Sequence, residues 1–156
     1  MNQTQQKGLK LLIIVAALGY FVDVYDLVLF GVIRVPSLKG IGITSDADIA
    51  FYGKMLFNYQ MYGMLIGGIF WGILGDKKGR LSVLFGSIFL YSTANVLNGM
   101  ITSVEQYKIL RFIAGFGLAG ELGAGITLVS ESMSKEKRGY GTTIIASVGV
   151  IGAVVA

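Results

Sequence analysis

The chain of 156 residues contains no cysteine and no histidine, and it has a single proline. Without cysteine and histidine it forms no disulfide, no catalytic thiolate and no zinc site built on thiolates or imidazoles. No nucleophile–base arrangement stands out either, so we predict that the protein is not an enzyme and uses no metal or organic cofactor. Any proton transfer near neutral pH must then use carboxyl groups.

Charge is also scarce, because Asp, Glu, Lys and Arg make up only 14% of the residues, against 54% hydrophobic residues. The apolar runs are long enough for membrane spans of about 20 residues. Lipid offers no hydrogen-bond partners to the backbone, and the alternating pattern of barrel strands is absent, so the spans are helices. We predict an all-α integral membrane protein in contact with lipid. The net charge of +4 comes mostly from bases in short loops, which disfavours a nucleic-acid partner.

The apolar runs predict four full helices and a shorter fifth one that is still apolar at the last residue. A polar connection, RVPSLKGIGITSDAD, follows the first helix and holds Pro36. The early segment LLIIVAALGYF is similar to a signal peptide, but its apolar run continues to Ile33, so we expect no cleavage. Because the fifth run lacks a polar end, we expect a fragment or a protein whose remainder is not included. The predicted helices span about residues 9–33, 50–74, 81–101, 107–133 and 140–156.

Lysine and arginine are unevenly divided between the two ends of the predicted helices. Eight of them flank the N-terminus, the loop between helices 2 and 3 and the loop between helices 4 and 5, whereas four lie on the opposite side. Cytoplasmic loops carry the excess of basic residues in membrane proteins. The N-terminus is therefore predicted to be cytoplasmic.

Glycine occurs 23 times, and several copies fall inside the predicted helices. The segment GFGLAG, residues 115–120, matches the G-x-G-x-x-G pattern of dinucleotide sites. Such a site follows a strand, whereas this segment lies within a helix and precedes the acidic Glu121. We interpret it as helix packing, because small residues let helices approach closely. Two glycine pairs in helix 2 have the four-residue spacing of such contacts: Gly63 with Gly67, and Gly68 with Gly72.

A charged segment, GILGDKKGR, interrupts the apolar runs at residues 72–80. Gly75 and Gly79 permit a tight reversal between two helices, because glycine tolerates positive φ. Asp76 has no topological role, and an acid at the C-terminal end of a helix interacts unfavourably with the helix dipole. It needs a basic partner or the N-terminus of another helix. The alternative is a solvated loop acid.

Continued as GILGDKKGRLSVL, this segment resembles the loop between helices 2 and 3 of major facilitator superfamily transporters. The segment GYFVDVYDLVLFG is similar to the D-x-Y-D part of helix 1 in members that co-transport protons with organic acids. RFIAGFGLAGELGAGITLVSESMSKEKRG resembles their helix 4 and the loop that follows. The chain departs from the family pattern at Leu81, where a base is common, and in lacking a proline before Arg138. The loop motif is carried by Gly72, Leu74, Asp76, Lys77, Gly79 and Arg80.

The resemblance implies a fold of twelve helices in two halves related by a pseudo-two-fold axis along the membrane normal. Residues 1–156 then form an N-terminal transporter domain fragment, and the remaining half of the transporter is its partner. In this family the loop acid, here Asp76, locks the cytoplasmic side shut. Arg80, Glu131 and Arg138 match the family's cytoplasmic charge network.

Four ionisable residues lie well inside the predicted spans, where a charge costs about 2.5–3.5 kcal/mol even on a lenient scale. They are Asp23 and Asp26 in helix 1 and Arg111 and Glu121 in helix 4. With a rise of about 1.5 Å per residue, Asp26 lies about 10 Å and Arg111 about 6 Å from the outer ends of their helices. Asp23 and Glu121 lie deeper. Asp26 and Arg111 can therefore meet at a similar depth.

We hypothesise that Asp26 is the proton site and Arg111 its switch partner, as the resemblance to proton-coupled sugar porters also implies. A carboxylate paired with arginine stays ionised, whereas an unpaired carboxyl group in an apolar cavity takes up a proton. Asp23 is the rival proton site, and Glu121 is a candidate for binding substrate or a second proton. Weaker substrate-binding candidates, for which helix packing is the alternative, are Tyr25, Asn58 and Tyr62.

These features predict a secondary transporter that moves a small organic solute by alternating access and proton symport, in a bacterial inner membrane. The proton gradient would be its energy source. The alternatives are a uniporter or exchanger of an ionic solute and, from another class, a non-transporting membrane sensor or assembly subunit. The acidic residues favour cations or neutral solutes, whereas the resemblance to acid symporters favours organic anions.

Overall fold

The computed structural model describes residues 3–133 and 138–156, and in this part of the chain all regular structure is helical. Within these residues, three of the helices contain stretches long and apolar enough to cross a membrane, Ile13–Gly40, Arg80–Asn98 and Val104–Glu131. The second helix is 33 residues long but carries several polar side chains in its middle, and the fifth is shorter. In chain order the helices are α1 (Gln3–Gly40), α2 (Asp46–Lys78), α3 (Arg80–Asn98), α4 (Val104–Ser132) and α5 (Arg138–Val155).

α4 is the central helix, because it packs against each of the other four. It runs parallel to α2, since Arg111 lies beside Gln60 near one end and Trp71 reaches α4 further along. There the Trp71 indole Nε1 donates a hydrogen bond of 2.8 Å to the backbone carbonyl of Phe116. The direct packing of α2 on α4 positions the polar side chains of α2 against Arg111.

α1 runs antiparallel to α4. Phe30 packs edge-on against Tyr107, whereas Gly19, eleven residues earlier in α1, faces Glu121 in the later part of α4. Because the helices alternate in direction, the chain near residues 78–80 and 131–133 lies at one end of the bundle, called the charged end below. The connections at 41–45 and 99–103 lie at the opposite end.

In the part of the chain that the structure describes, three clusters of buried apolar side chains hold the bundle together. One lies at the opposite end, one between α3 and α4, and one between α1, α4 and α5 near the charged end. Arg111 and Asp26 lie between the first two clusters. The members of the first are Phe30, Leu38, Ile49, Leu56 and Tyr107, and those of the second are Tyr91, Ala94, Ala114 and Leu118.

The first helix is longer than the sequence predicts. α1 continues through Pro36 to Gly40, whereas we expected a polar connection from residue 34. Leu38, beyond the proline, is fully buried in the cluster at the opposite end, and this burial favours continuing the helix. The helix ends because Gly42 adopts a φ of +93°, and Ile43 then donates a backbone hydrogen bond to the Leu38 carbonyl.

The turn between α2 and α3 is tighter than expected, because Gly79 alone separates the two helices. Its φ is +88°, a value that suits glycine. Gly75, predicted to belong to the turn, is instead helical. A Cβ at Gly75 would lie 2.8 Å from Nη1 of Arg80, so this glycine leaves room for the arginine side chain.

Three of the five glycines of α4 and half of those singled out in α2 serve helix packing. A side chain at Gly63 or Gly67 would collide with the α4 backbone at Phe112 or Phe116. Within GFGLAG, Gly115 meets the backbone of α2, Gly117 meets that of α3, and Gly120 meets side chains of both helices. For the other pair the structure shows no such contact, because within the described part of the chain nothing lies near a Cβ at Gly68 or Gly72.

Candidate functional site

The four intramembrane charges lie at least partly inside the helix bundle. Asp23 and Arg111 are 1% and 3% exposed, and the Asp26 side chain is 20% exposed. Glu121 is partly buried. Since buried charges are costly unless they are paired or neutralised, their partners indicate what each group can do.

Asp26 and Arg111 face each other across α1 and α4, as the depth argument predicts. Arg111 Nη1 lies 3.9 Å from Asp26 Oδ2, which is longer than the approximately 2.7–2.9 Å of a charge-assisted hydrogen bond. From α3, the Tyr91 hydroxyl interacts with the Asp26 carboxyl group and with Asn95. The ion pair is therefore in electrostatic contact but not closed, and a small movement can form or break it.

Aromatic rings hold the Arg111 guanidinium from the opposite end of the bundle. Its central carbon lies 3.9 Å from the centroid of the Phe30 ring and 5.6 Å from that of Tyr107. A guanidinium over an aromatic face is attracted by the ring quadrupole, more strongly where water is excluded. The rings thus keep the cation inside the bundle independently of Asp26.

Gln60 is a third polar group at this site, and it was missed in the sequence. Its side chain is fully buried in α2, and its Oε1 lies 3.5 Å from the same Arg111 Nη1 that faces Asp26. A glutamine within a membrane span is itself a sign of function, since polar groups there need partners. In the sequence we assigned this significance to Asn58 and Tyr62, which lie two residues before and two residues after Gln60. In the structure the side chains of Asn58 and Tyr62 are both exposed.

Asp23 and Glu121 form a second acidic site that does not include Arg111. Both line a cavity of about 50 Å³ between α1, α3, α4 and α5, and neither oxygen of the Asp23 carboxyl group has a hydrogen-bond partner among the described residues. A cavity of this size admits water but not an organic solute, because such sites occupy about 300–1,000 Å³. Gly19 makes room for Glu121, since a Cβ there would lie 2.9 Å from its Oε1.

The weaker substrate candidates contact residues of their own helices or are exposed. Tyr25 stacks on Phe21 of its own helix, with 6.5 Å between ring centroids. Tyr62 is 57% exposed and packs edge-on against Tyr59 of the same helix. Asn58 is exposed on α2. Their predicted contact with substrate stays a prediction.

The loop motif forms a charge cluster at the charged end of the bundle. Arg80 Nη2 lies 2.6 Å from Asp76 Oδ1, so the partner that Asp76 requires is four residues away. Arg80 Nε also lies 3.7 Å from Glu131 Oε1, which links the start of α3 to the end of α4. The side chain of Arg138, predicted to join this network, lies outside the described residues.

An open polar cleft of about 470 Å³ surrounds this charge cluster. Gly79, Lys78 and Glu131 line it together with Asp76 and Arg80. Of two other motif residues, Gly72 is partly exposed and Lys77 is exposed. Among the described residues, no group of three or more acidic side chains is arranged to hold a metal ion.

Comparison with known proteins places these features in a family. The profile of the Major Facilitator Superfamily matches residues 13–156. The sialic acid transporter NanX of Escherichia coli (strain K12) is 30% identical over 156 residues, which are 100% of this chain and 36% of that protein. The benzoate transport protein of Acinetobacter baylyi is 32% identical over 149 residues, which are 92% of this chain and 31% of that protein. The low affinity inorganic phosphate transporter 4 of Lotus japonicus is 30% identical over 140 residues, which are 81% of this chain and 26% of that protein.

The chain spans 31–37% of the length of the bacterial relatives it matches. No solved structure gives a significant match. The profile match confirms the resemblance drawn from the loop motif and the all-α membrane fold. The names of the three relatives above all describe transport and not catalysis.

Proposed function

This chain belongs to the Major Facilitator Superfamily, and we propose that it is the N-terminal domain of a transporter that moves a small organic anion together with protons by alternating access. The domain would lie in a bacterial inner membrane with its N-terminus and its charged end in the cytoplasm. The proton gradient would be its energy source. Sialic acid, benzoate and inorganic phosphate, named for the relatives, are all anions in neutral water, which supports the choice of an anion.

The observation that carries this proposal is the open ion pair between Asp26 and Arg111. While Asp26 is ionised, its charge balances that of Arg111, and the cation attracts no other anion strongly. A proton on Asp26 removes this balance and leaves Arg111 able to attract an anionic solute. Proton and anion therefore favour each other's binding, as symport requires. Each dissociates more readily once the other has left.

The remaining candidates fit around this pair. Asp23, beside its small cavity and Glu121, is the rival proton site, and water in the cavity would connect it to the charged end of the bundle. Arg80 joins Asp76 to Glu131, which holds α2, α3 and α4 together at the proposed cytoplasmic gate. Tyr25, Asn58 and Tyr62 are proposed to contact the solute from the side that the remaining half of the transporter would cover.

The test is solute uptake into liposomes that contain the full-length protein, driven by a pH gradient. Labelled benzoate, sialic acid and phosphate form the first panel. One pH unit supplies about 1.4 kcal/mol per proton, so it supports up to about tenfold accumulation for each proton carried. We expect Asp26→Asn to abolish accumulation above equilibrium while exchange of labelled for unlabelled solute persists.

Asp48→Asn is the matched control, because Asp48 is an exposed acid at the start of α2. It should leave accumulation unchanged. Undiminished proton-driven accumulation in Asp26→Asn would remove Asp26 from the mechanism. Uptake that never exceeds equilibrium in the unaltered protein would instead favour uniport or exchange.

A further inference from the structure

One nitrogen of Arg111 lies between two acceptors that come from different helices. Nη1 is 3.5 Å from Gln60 Oε1 on α2 and 3.9 Å from Asp26 Oδ2 on α1. Both distances exceed the approximately 2.7–2.9 Å of a closed charge-assisted hydrogen bond. A shift of about one ångström therefore decides which acceptor holds the cation.

The two acceptors differ in how they respond to protons. The Asp26 carboxylate loses its charge when it is protonated, and its attraction for Arg111 falls. The Gln60 amide oxygen does not titrate, so it accepts a hydrogen bond from arginine at any physiological pH. Burial makes this property important, because a buried guanidinium without an acceptor is strongly destabilising.

Unused polar groups at the site fit such an exchange. Asp26 Oδ2, Arg111 Nε and Gln60 Nε2 are buried and make no hydrogen bond among the described residues. Buried polar atoms are normally satisfied, so groups left open at one site indicate an arrangement with more than one hydrogen-bonded state. The Phe30 and Tyr107 rings stabilise the cation in either state, because their attraction does not depend on Asp26.

We propose that Gln60 is a positioning residue that takes over Arg111 when Asp26 is protonated. The guanidinium moves between a charged acceptor on α1 and a neutral one on α2, and this movement changes which helix α4 is tied to. The part that this exchange plays in transport rests on the proposed function. The exchange itself is a property of three side chains and is tested without solute.

The experiment measures thermal unfolding of the purified full-length protein in detergent. Asp26→Asn imitates the protonated acid, whose neutral oxygen attracts Arg111 less than a carboxylate does, so in this background Arg111 depends more on Gln60. We expect Gln60→Ala to lower the unfolding temperature little when Asp26 is present. Combined with Asp26→Asn, it should lower the temperature by several degrees more than the two single losses together.

Two further variants in the Asp26→Asn background separate hydrogen bonding from packing. Gln60→Glu restores an acceptor for Arg111 and should recover at least the stability of Asp26→Asn alone. Gln60→Leu fills the space without an acceptor and should not recover it. Ser87→Ala is the matched control, since Ser87 is also fully buried but bonds to Leu84 of its own helix, and its effect should add to that of Asp26→Asn.

Strictly additive losses for Gln60→Ala, or equal recovery by Gln60→Leu and Gln60→Glu, would overturn the inference. If Gln60→Ala fails to fold, the comparison of Leu and Glu at this position still decides. Failure here leaves the proposed function standing, because the uptake test keeps Gln60 and measures solute. If the uptake test refutes the proposed function, the exchange of Arg111 between Asp26 and Gln60 likewise still stands.

Discussion

At the scale of single residues, the site depends on the shape of arginine. Arg111 faces an acid, an amide and two aromatic rings with one planar group. A guanidinium has five donors in a fixed plane and can stack on a ring while it donates at its edge. The compact ammonium group of lysine carries the same charge but cannot make both kinds of contact.

Arg111→Lys is therefore expected to reduce proton-driven uptake at least about tenfold, which corresponds to about 1.4 kcal/mol of lost interaction. The measurement is uptake under a pH gradient, with the amount of protein in the membrane checked in parallel. Arg34→Lys is the control, because Arg34 lies on another part of α1 and its side chain packs against Gly53 of α2. Normal uptake in Arg111→Lys would show that charge alone suffices.

The sequence allowed two of the three members of this site to be predicted. Asp26 and Arg111 stand out because charged residues in a membrane span are rare, and helical rise places them at similar depth. Gln60 carries no charge, and three neighbouring polar residues in α2 look equally suitable in the sequence. Only the packing of α2 on α4 shows that Gln60, and not Asn58, points at Arg111.

At the scale of helices, the sequence predicts the ends of a span correctly only where local signals outweigh the contacts made by tertiary packing. Gly79 has no competing signal, and the break between α2 and α3 falls there. Pro36 is a helix-breaking signal, but burial of Leu38 outweighs it, so α1 is longer than expected. Proline is tolerated in membrane helices because neighbouring groups compensate for the lost hydrogen bond.

Glycine spacing shows the same limit, because spacing identifies a possible contact face but not whether a partner lies there. We expect Gly63→Ala to lower the free energy of unfolding by about 1–3 kcal/mol, since its Cβ would collide with the Phe112 carbonyl. Gly68→Ala should be neutral or stabilise by up to about 1 kcal/mol through helix propensity. Unfolding in detergent measures both, and equal losses would contradict the packing described above.

At the scale of the whole molecule, alternating helix directions place the basic motif and the Glu131 end of α4 on one side. The same arrangement follows from the count of lysines and arginines, which reflects membrane insertion and not packing. The structure supports the shared end of these segments, and the side of the membrane that this end faces stays a prediction. The sequence could not predict how the helices pack around α4, because packing depends on contacts between residues distant in the chain.

The absence of cysteine allows the orientation to be measured directly, since within this chain no native thiol has to be removed. Ser82→Cys marks the charged end and Ser45→Cys the opposite end, and both positions are exposed. In intact cells, a membrane-impermeant thiol reagent should label the cysteine at position 45 and not the one at position 82. The reverse pattern would contradict a cytoplasmic N-terminus.

The central claim is that the charge on Asp26, paired with Arg111, couples proton movement to solute movement. The most direct measurement records external pH while a solute of the panel enters liposomes containing the full-length protein. The account predicts that the medium becomes alkaline as the solute enters, and that Asp26→Asn abolishes this change while solute exchange continues. The same alkalinisation in Asp26→Asn would contradict the account.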